Sequence, residues 1–492
     1  MIRACRSSLI KGGASGVGVL FVGLLGALLS LDGCGSSSNP STAGTAGAGG
    51  HADGGGKDSS AAGKAGAADG GAAGADGAAF DGAAGAGGGV TVDGAAGWDG
   101  AVADGASDGA AGAVSFGVGL AVVDSDYAST SISIVGATGA LVKDDCINSG
   151  TQAAGKLSLT LSGDVVLPSQ PQLGGDLWLI DRKNDALTIV APPTCAVSAQ
   201  IAVGTGFQSD PHDVAVLSDT KLYVTRYNTN VAPPNVTATG DDVLIVNRTT
   251  GTVTGRIGLT TYAAPVTGFT IEAQPDRMVI AGSKVYVTLG SQDANFMAAG
   301  EGRVVVIDPG SDTVIGTIAL TGLDGCSAIQ YVPALSSLFV ACGGSFSDAD
   351  QAAASGIAQI DLSTATPTLH VTKASVVGGQ PVNFSWIGVL SATQGFAATL
   401  GTFPFGTTPG TNDALYMFNP TAGTAAPVSL SAGAYDLGGA AVGAGLLFVP
   451  DATTTKPLIH VFDVPATGAP TERTPFAPDP SKGLPPRQIA WY

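Results

Sequence analysis

The sequence predicts an all-β fold, a single seven-bladed β-propeller carried behind a disordered N-terminal tether. Three observations predict it. Four-strand units of one internal order recur after Val114. The last strand-like segment completes a unit that lacks its first strand at the start of the folded region. Between Cys34 and Val114, the chain has almost none of the large apolar side chains a core requires. Six or eight blades remain open as alternative counts.

Composition bounds the partners. The chain has 492 residues and a formal net charge of −18, and no Lys/Arg cluster occurs beyond Lys11. A nucleic-acid surface needs convergent cations that displace counterions, so nucleic acid is excluded as a partner. Acidity of this size keeps a crowded surface protein soluble.

The first element is a leader, residues 1–33. Arg3, Arg6 and Lys11 form a basic start, and residues 17–31 are an apolar run too short for the ~20 residues of a permanent spanning helix. The run ends in Leu31-Asp32-Gly33-Cys34. This motif resembles the lipobox of bacterial lipoproteins, with Asp32 where that family carries a small residue. The resemblance implies a lipid-modified (palmitate-bearing) Cys34, membrane attachment through that anchor and, with Gly35 following, the outer membrane. Several acyl chains, at ~0.8 kcal/mol per buried CH₂, anchor stably.

Residues 34–113 form the second element, an Ala/Gly/Asp-rich linker exemplified by Gly70-Gly71-Ala72-Ala73-Gly74-Ala75-Asp76-Gly77. Such a segment cannot offset the entropy of ordering itself. As a flexible coil it spans about 50 Å root-mean-square, enough to hold a domain off a membrane.

The third element, residues 114–492, is the propeller. Its clearest unit runs over 214–259. A first strand through Val214-Ala215-Val216 leads to Lys221-Leu222-Tyr223-Val224-Thr225, then to Asp242-Val243-Leu244-Ile245-Val246-Asn247, then to Thr252-Val253-Thr254-Gly255-Arg256-Ile257. The next unit repeats it with Val285-Tyr286-Val287-Thr288, a strand ending in Asp308 and a Thr313-Val314 strand. Further copies follow, weaker toward both ends. Four short strands separated by turn residues make one blade. The Leu222–Thr225 and Val285–Thr288 motifs, with Asn247 and Asp308 closing the next strands, resemble the YVTN-type β-propeller repeat. That family includes surface-layer and periplasmic proteins and is similar in fold to lactonase-like propellers.

Closure follows from the ends. Pro486-Arg487-Gln488-Ile489-Ala490-Trp491 reads as a first strand with nothing after it. Leu120-Ala121-Val122-Val123 and Thr130-Ser131-Ile132-Ser133-Ile134-Val135 read as second and third strands with nothing before them. Uniting them completes a blade and removes two open sheet edges.

Outside the leader, four cysteines remain in an exported chain, which suggests two disulfides. Cys326 and Cys342 flank a predicted hairpin and fall opposite each other, and Cys146–Cys195 follows by elimination. No C-x-x-C pair supports zinc.

Blade-linking segments and second-to-third-strand loops open on one face, where function concentrates. His212, beside Asp210 and Asp213, is the strongest acid–base or metal candidate. The same face collects the ligand-binding candidates Arg226, Tyr227, Asp276, Arg277, Asp293, Trp386 and Arg487. No nucleophile elbow, H-E-x-x-H or P-loop occurs. The expectation is a monomeric, non-catalytic binding or scaffold propeller of the cell envelope, with no cofactor and no assigned catalytic or metal-ligating residue. Its partner would be an envelope protein, glycan or small ligand. The alternative is a metal-assisted hydrolase or lactonase-like enzyme built on His212.

Overall fold

The computed structural model describes residues 118–192, 194–346, 353–372, 383–402, 410–428, 430, 433–453 and 455–492. The leader, the linker and Cys34 lie outside the described residues. Seven four-stranded antiparallel sheets make up the fold, as the repeats predict. Blade 1 joins the last strand, Pro486–Trp491, to Leu120–Ser125, Thr130–Val135 and Leu141–Asn148. Blade 2 comprises Val165–Val166, Leu177–Asp181, Ala186–Ala191 and Ala196–Ala202. Blade 3 comprises Pro211–Ser218, Lys221–Thr229, Gly240–Asn247 and Thr252–Gly258. Blade 4 comprises Pro275–Ala281, Lys284–Leu289, Glu301–Asp308 and Thr313–Asp324, and blade 5 Cys326–Val332, Ser337–Cys342, Gly356–Asp361 and Thr366–Thr372. Blade 6 comprises Asn383–Ser391, Gln394–Leu400, Ala414–Asn419 and Thr424–Val428, and blade 7 Ala441–Gly443, Leu446–Asp451, Leu458–Asp463 and Thr471–Glu472. A small extra sheet pairs Ile271–Glu272 with Gln292–Asp293.

The apolar runs seen in the sequence are middle strands covered on both faces by neighbouring blades, so they are buried almost continuously, as in Leu446–Asp451. Outer strands such as Thr252–Gly258 alternate between exposed and covered residues instead. Ring closure takes the register Val122↔Ile489, and the Ile489 amide donates onward to the Gly439 carbonyl at 2.8 Å.

The Asn or Asp ending the third strand of blades 3, 4 and 5 has a local cause. Asn247 accepts the Thr249 and Thr250 amides at 3.0 Å each, Asp308 accepts Gly310 N–H at 2.9 Å, and Asp361 accepts Ser363 N–H at 2.8 Å. Each carboxylate or amide oxygen thereby folds the turn between third and fourth strands. The residue four positions on adopts left-handed backbone: Gly251, Asp312 and Ala365. In blade 2 the same turn, Asp181 to left-handed Asp185, closes the second strand instead.

Buried and half-buried carboxylates join the blades. Asp185 accepts the Ser209 and Asp210 amides at 2.8 and 3.1 Å, which fixes the approach to blade 3. Asp241 does the same for Ala273 and Gln274 before blade 4, at 3.2 and 2.7 Å. Asp413 takes Tyr435, Asp436 and Leu437 before blade 7, at 2.8, 2.7 and 2.7 Å. Burial pushes all three carboxyls above their ordinary pKa even against these bonds.

Both disulfides form as expected. Cys326–Cys342 bridges the first two strands of blade 5, and Cys146–Cys195 ties the outer strand of blade 1 to blade 2.

Candidate functional site

The second-strand motif positions the site. Thr225 Oγ1 donates to the Asp276 carbonyl at 2.7 Å. Thr288 Oγ1 both accepts the Arg277 amide and donates to the Arg277 carbonyl, at 3.1 Å each. The threonines of the two Tyr-Val-Thr motifs thus clamp the start of the first strand of blade 4, where Asp276 and Arg277 sit. Tyr223, in the same motif, donates its hydroxyl to Asp312 in the following blade.

His212, at the start of the first strand of blade 3, stands between two carboxylates. Its Nδ1 lies 2.8 Å from Asp276 and its Nε2 3.3 Å from Asp210. The Tyr227 ring stacks on the imidazole at 4.2 Å between centroids, and the Tyr227 hydroxyl donates to Gln274 Oε1 at 2.9 Å. Burial alone would lower the His212 pKa, but Asp276 and Asp210 outweigh it and push it up to about 9. His212 is therefore an imidazolium at neutral pH, donating through both nitrogens. Burial opposes ionisation of Asp210 also, yet His212 and Arg182 hold its pKa below the ordinary value. Burial, with Asp276 and Asp210 nearby, holds the Tyr227 phenol well above its usual range.

Beside this cluster lies a cavity of about 320 Å³. First-strand residues of blades 1, 2, 4, 5, 6 and 7 contribute to it, including Arg277, Ser327, Trp386 and Arg487. Arg182 also lines it and reaches Asp164 at 2.5 Å. Arg277 donates to the His212 carbonyl at 3.0 Å and to the Leu167 carbonyl at 2.9 Å. Arg487 donates through Nε to the Ser125 carbonyl at 3.1 Å and lies over the Tyr127 ring at 4.8 Å.

A segment of blade 2 bounds the cavity on one side. The first strand there has only Val165 and Val166, after which 167–172 crosses toward the neighbouring blades. Ser169 N–H donates to Asp213 at 3.1 Å, Gln172 Oε1 accepts Val216 N–H at 2.8 Å, and Gln170 Oε1 accepts Ile280 N–H at 3.1 Å. Leu167 N–H donates to Gln488 Oε1 at 2.7 Å. The segment satisfies inner strand edges of blades 3 and 4 that would otherwise carry orphan amides.

The structure divides the sequence-derived candidates. Asp210, His212, Tyr227 and Asp276 form one cluster; Arg277 links it to the cavity; Trp386 and Arg487 line the cavity. Three residues belong to neither the cluster nor the cavity lining. Arg226 is fully buried and forms a two-pronged pair with Asp242 at 2.8 and 2.7 Å, with Thr205 Oγ1 accepting at 2.6 Å. Asp213 is fully buried and accepts the Met278 and Ser169 amides. Asp293 spends Oδ1 on the Met297 and Ala298 amides, at 2.7 Å each, and Oδ2 on the Asn295 amide at 3.1 Å. Their polarity satisfies backbone and a buried ion pair, so they are structural. Sequence reasoning missed Arg182, Asp164 and the 167–172 segment. The Pro168, Pro171 and paired Gly174-Gly175 signals do mark an interruption there.

No protein-family model matches the sequence, and no curated protein matches it. The YVTN-type likeness therefore rests on its motifs alone. Among solved structures, the chain resembles a candidate 6-phosphogluconolactonase from Bacteroides uniformis at 14% identity and a TM-score of 0.49, covering 76% of this chain and 100% of that one. It resembles the Cps50 (Swd1) β-propeller domain of Myceliophteria thermophila at 12% identity and a TM-score of 0.46, over 72% and 96%. BamB from Moraxella catarrhalis aligns at 13% identity and a TM-score of 0.36, over 72% and 86%. Likenesses of this size carry no activity across. The strand order and its terminal closure make this chain a seven-bladed β-propeller.

Proposed function

We propose that this protein is a lipid-anchored component of the bacterial outer membrane whose propeller binds an envelope ligand in the cavity lined by its first strands without transforming it. The Leu31–Cys34 motif supports the anchor, the 34–113 composition supports a tether, and the Tyr-Val-Thr repeats support membership of the YVTN-type family. The observation that carries the binding reading is the cavity beside His212, where arginines and tryptophans from separate blades converge. An enzyme reading would rest on His212, and His212 is poorly placed for it. A general base or metal ligand needs a free ring lone pair, and both nitrogens here are already engaged by carboxylates, at 2.8 Å from Asp276 and 3.3 Å from Asp210.

Two measurements test this. The full chain should partition with membranes and Cys34→Ser should release it; unchanged partition of that variant would refute the anchor. The detergent-solubilised full chain, immobilised and exposed to envelope extract, should retain an envelope component that elutes unaltered. Retention of nothing, or release of a chemically changed component, would refute non-catalytic binding.

A further inference from the structure

We infer that the cavity is a site for a small carboxylate-bearing ring molecule, of the size of an acidic monosaccharide, with Arg487 as its anion anchor. The inference rests on the binding reading above and names its ligand class.

Three features lead to it. The first is an inversion of charge. The chain carries a formal net charge of −18, yet the cavity is lined by Arg182, Arg277 and Arg487, with Asp164 the one carboxylate among the described residues that line it. Low-dielectric walls carrying one sign of charge concentrate ions of the other sign.

The second is the state of each guanidinium. Arg182 is neutralised by Asp164 at 2.5 Å. Arg277 lies 3.6 Å from Asp276 and gives donors to two carbonyls. Arg487 has no carboxylate partner among the described residues. Its Nε is spent on the Ser125 carbonyl, which leaves the Nη edge for a ligand. The Tyr127 ring beneath it, at 4.8 Å, holds the guanidinium plane. One uncompensated cation matches one negative charge. A phosphate dianion would require a second, and Arg182 and Arg277 are already engaged.

The third is the remaining wall. Trp386, Ala441, Val442 and Ile387 line the same cavity, giving an apolar and aromatic surface for the body of a ring. A volume of about 320 Å³ admits a molecule of one sugar ring and excludes a polymer from full entry.

The test uses the full chain in detergent with D-glucuronate as probe, titrated by tryptophan fluorescence and calorimetry. D-glucose serves as the uncharged control and glucose 6-phosphate as the dianionic one. Glucuronate should bind, with affinity falling as salt rises, and glucose should not. Arg487→Gln should weaken glucuronate by about tenfold or more, the loss expected for a charge-assisted bond. Because Arg487 also holds Ser125, its melting temperature is measured alongside. Ser327→Asp, which adds a carboxylate to the lining away from Arg487, should abolish binding in a folded chain. Equal binding of glucose and glucuronate, tighter binding of glucose 6-phosphate, or unchanged affinity in both variants would overturn the assignment. If glucuronate fails while envelope extract still yields a retained component, the ligand class falls and the binding reading stands. If the extract also yields nothing, both fall.

Discussion

His212 and Asp276 stand 2.8 Å apart on the first strands of neighbouring blades, so one hydrogen-bonded ion pair spans the seam between blades 3 and 4. With Asp210 on the other ring nitrogen, the histidine is charged in the folded state and ordinary in the unfolded one. Its folded pKa, about 9, lies above the unfolded 6.5. The stabilisation is therefore complete below pH 6.5 and declines as pH rises toward about 9. His460 in blade 7, held by Glu472 at 2.7 Å and Asp451 at 3.2 Å, is raised in the same direction. Thermal melts across this range should show the wild type losing stability with rising pH. His212→Gln should be less stable at pH 6, by roughly 1–3 kcal/mol, and should show a shallower decline. Parallel pH profiles for the two proteins would contradict the ion-pair account.

Asp413 fastens blade 6 to blade 7 through the Gly401, Tyr435, Asp436 and Leu437 amides. Replacement by Ala orphans these donors in a buried site. Asp413→Ala should cost about 3 kcal/mol or more by urea denaturation, with Asp413→Asn in between. A loss under about 0.5 kcal/mol would deny the clamp its role.

The two disulfides close loops of different length. Sequence separations of 16 and 49 correspond to about 3 and about 4 kcal/mol by loop-closure entropy. Cys146→Ala/Cys195→Ala should therefore destabilise more than Cys326→Ala/Cys342→Ala. Denaturant midpoints of the two double variants decide the order.

The Arg226–Asp242 pair is wholly buried. Arg226→Leu leaves Asp242 with Arg256, at 3.4 Å, as its one cationic partner among the described residues, and should cost about 3–5 kcal/mol. Adding Asp242→Leu should recover much of it, since the cost lies in the stranded charge. A double variant no better than the single would contradict this.

The architecture was legible because its causes are local. Asn247, Asp308 and Asp361 mark turns through their own backbone contacts, and the Tyr-Val-Thr strands are apolar because blades cover both faces. The ends of the folded region announced their pairing by each lacking what the other supplies. The site was legible only in part. His212, Asp276 and Arg277 sit at strand starts that the repeat predicts. Arg226 sits one residue before Tyr227 in the same strand, and alternation alone turns its side chain into the blade seam. Nothing local distinguishes a cation paired inside from one facing the cavity. Arg182 escaped notice because its turn, though built like the others, closes a second strand. The 167–172 segment escaped because its bonds to blades 3 and 4 reach across tens of residues of sequence.

The central claim is that the two ends of the folded region close one ring, which brings Arg487 to the cavity shared with Arg277 and Trp386. Its most direct test is a cross-link between the paired residues of that seam. Val122→Cys/Ile489→Cys should form an intramolecular disulfide in the full chain, detected as one linked peptide pair by mass spectrometry, because these positions are register partners. Val122→Cys/Ala490→Cys, one residue out of register and facing the other way, should not. Absence of the first link, equal linkage in both, or linkage only between separate molecules would contradict the closed ring.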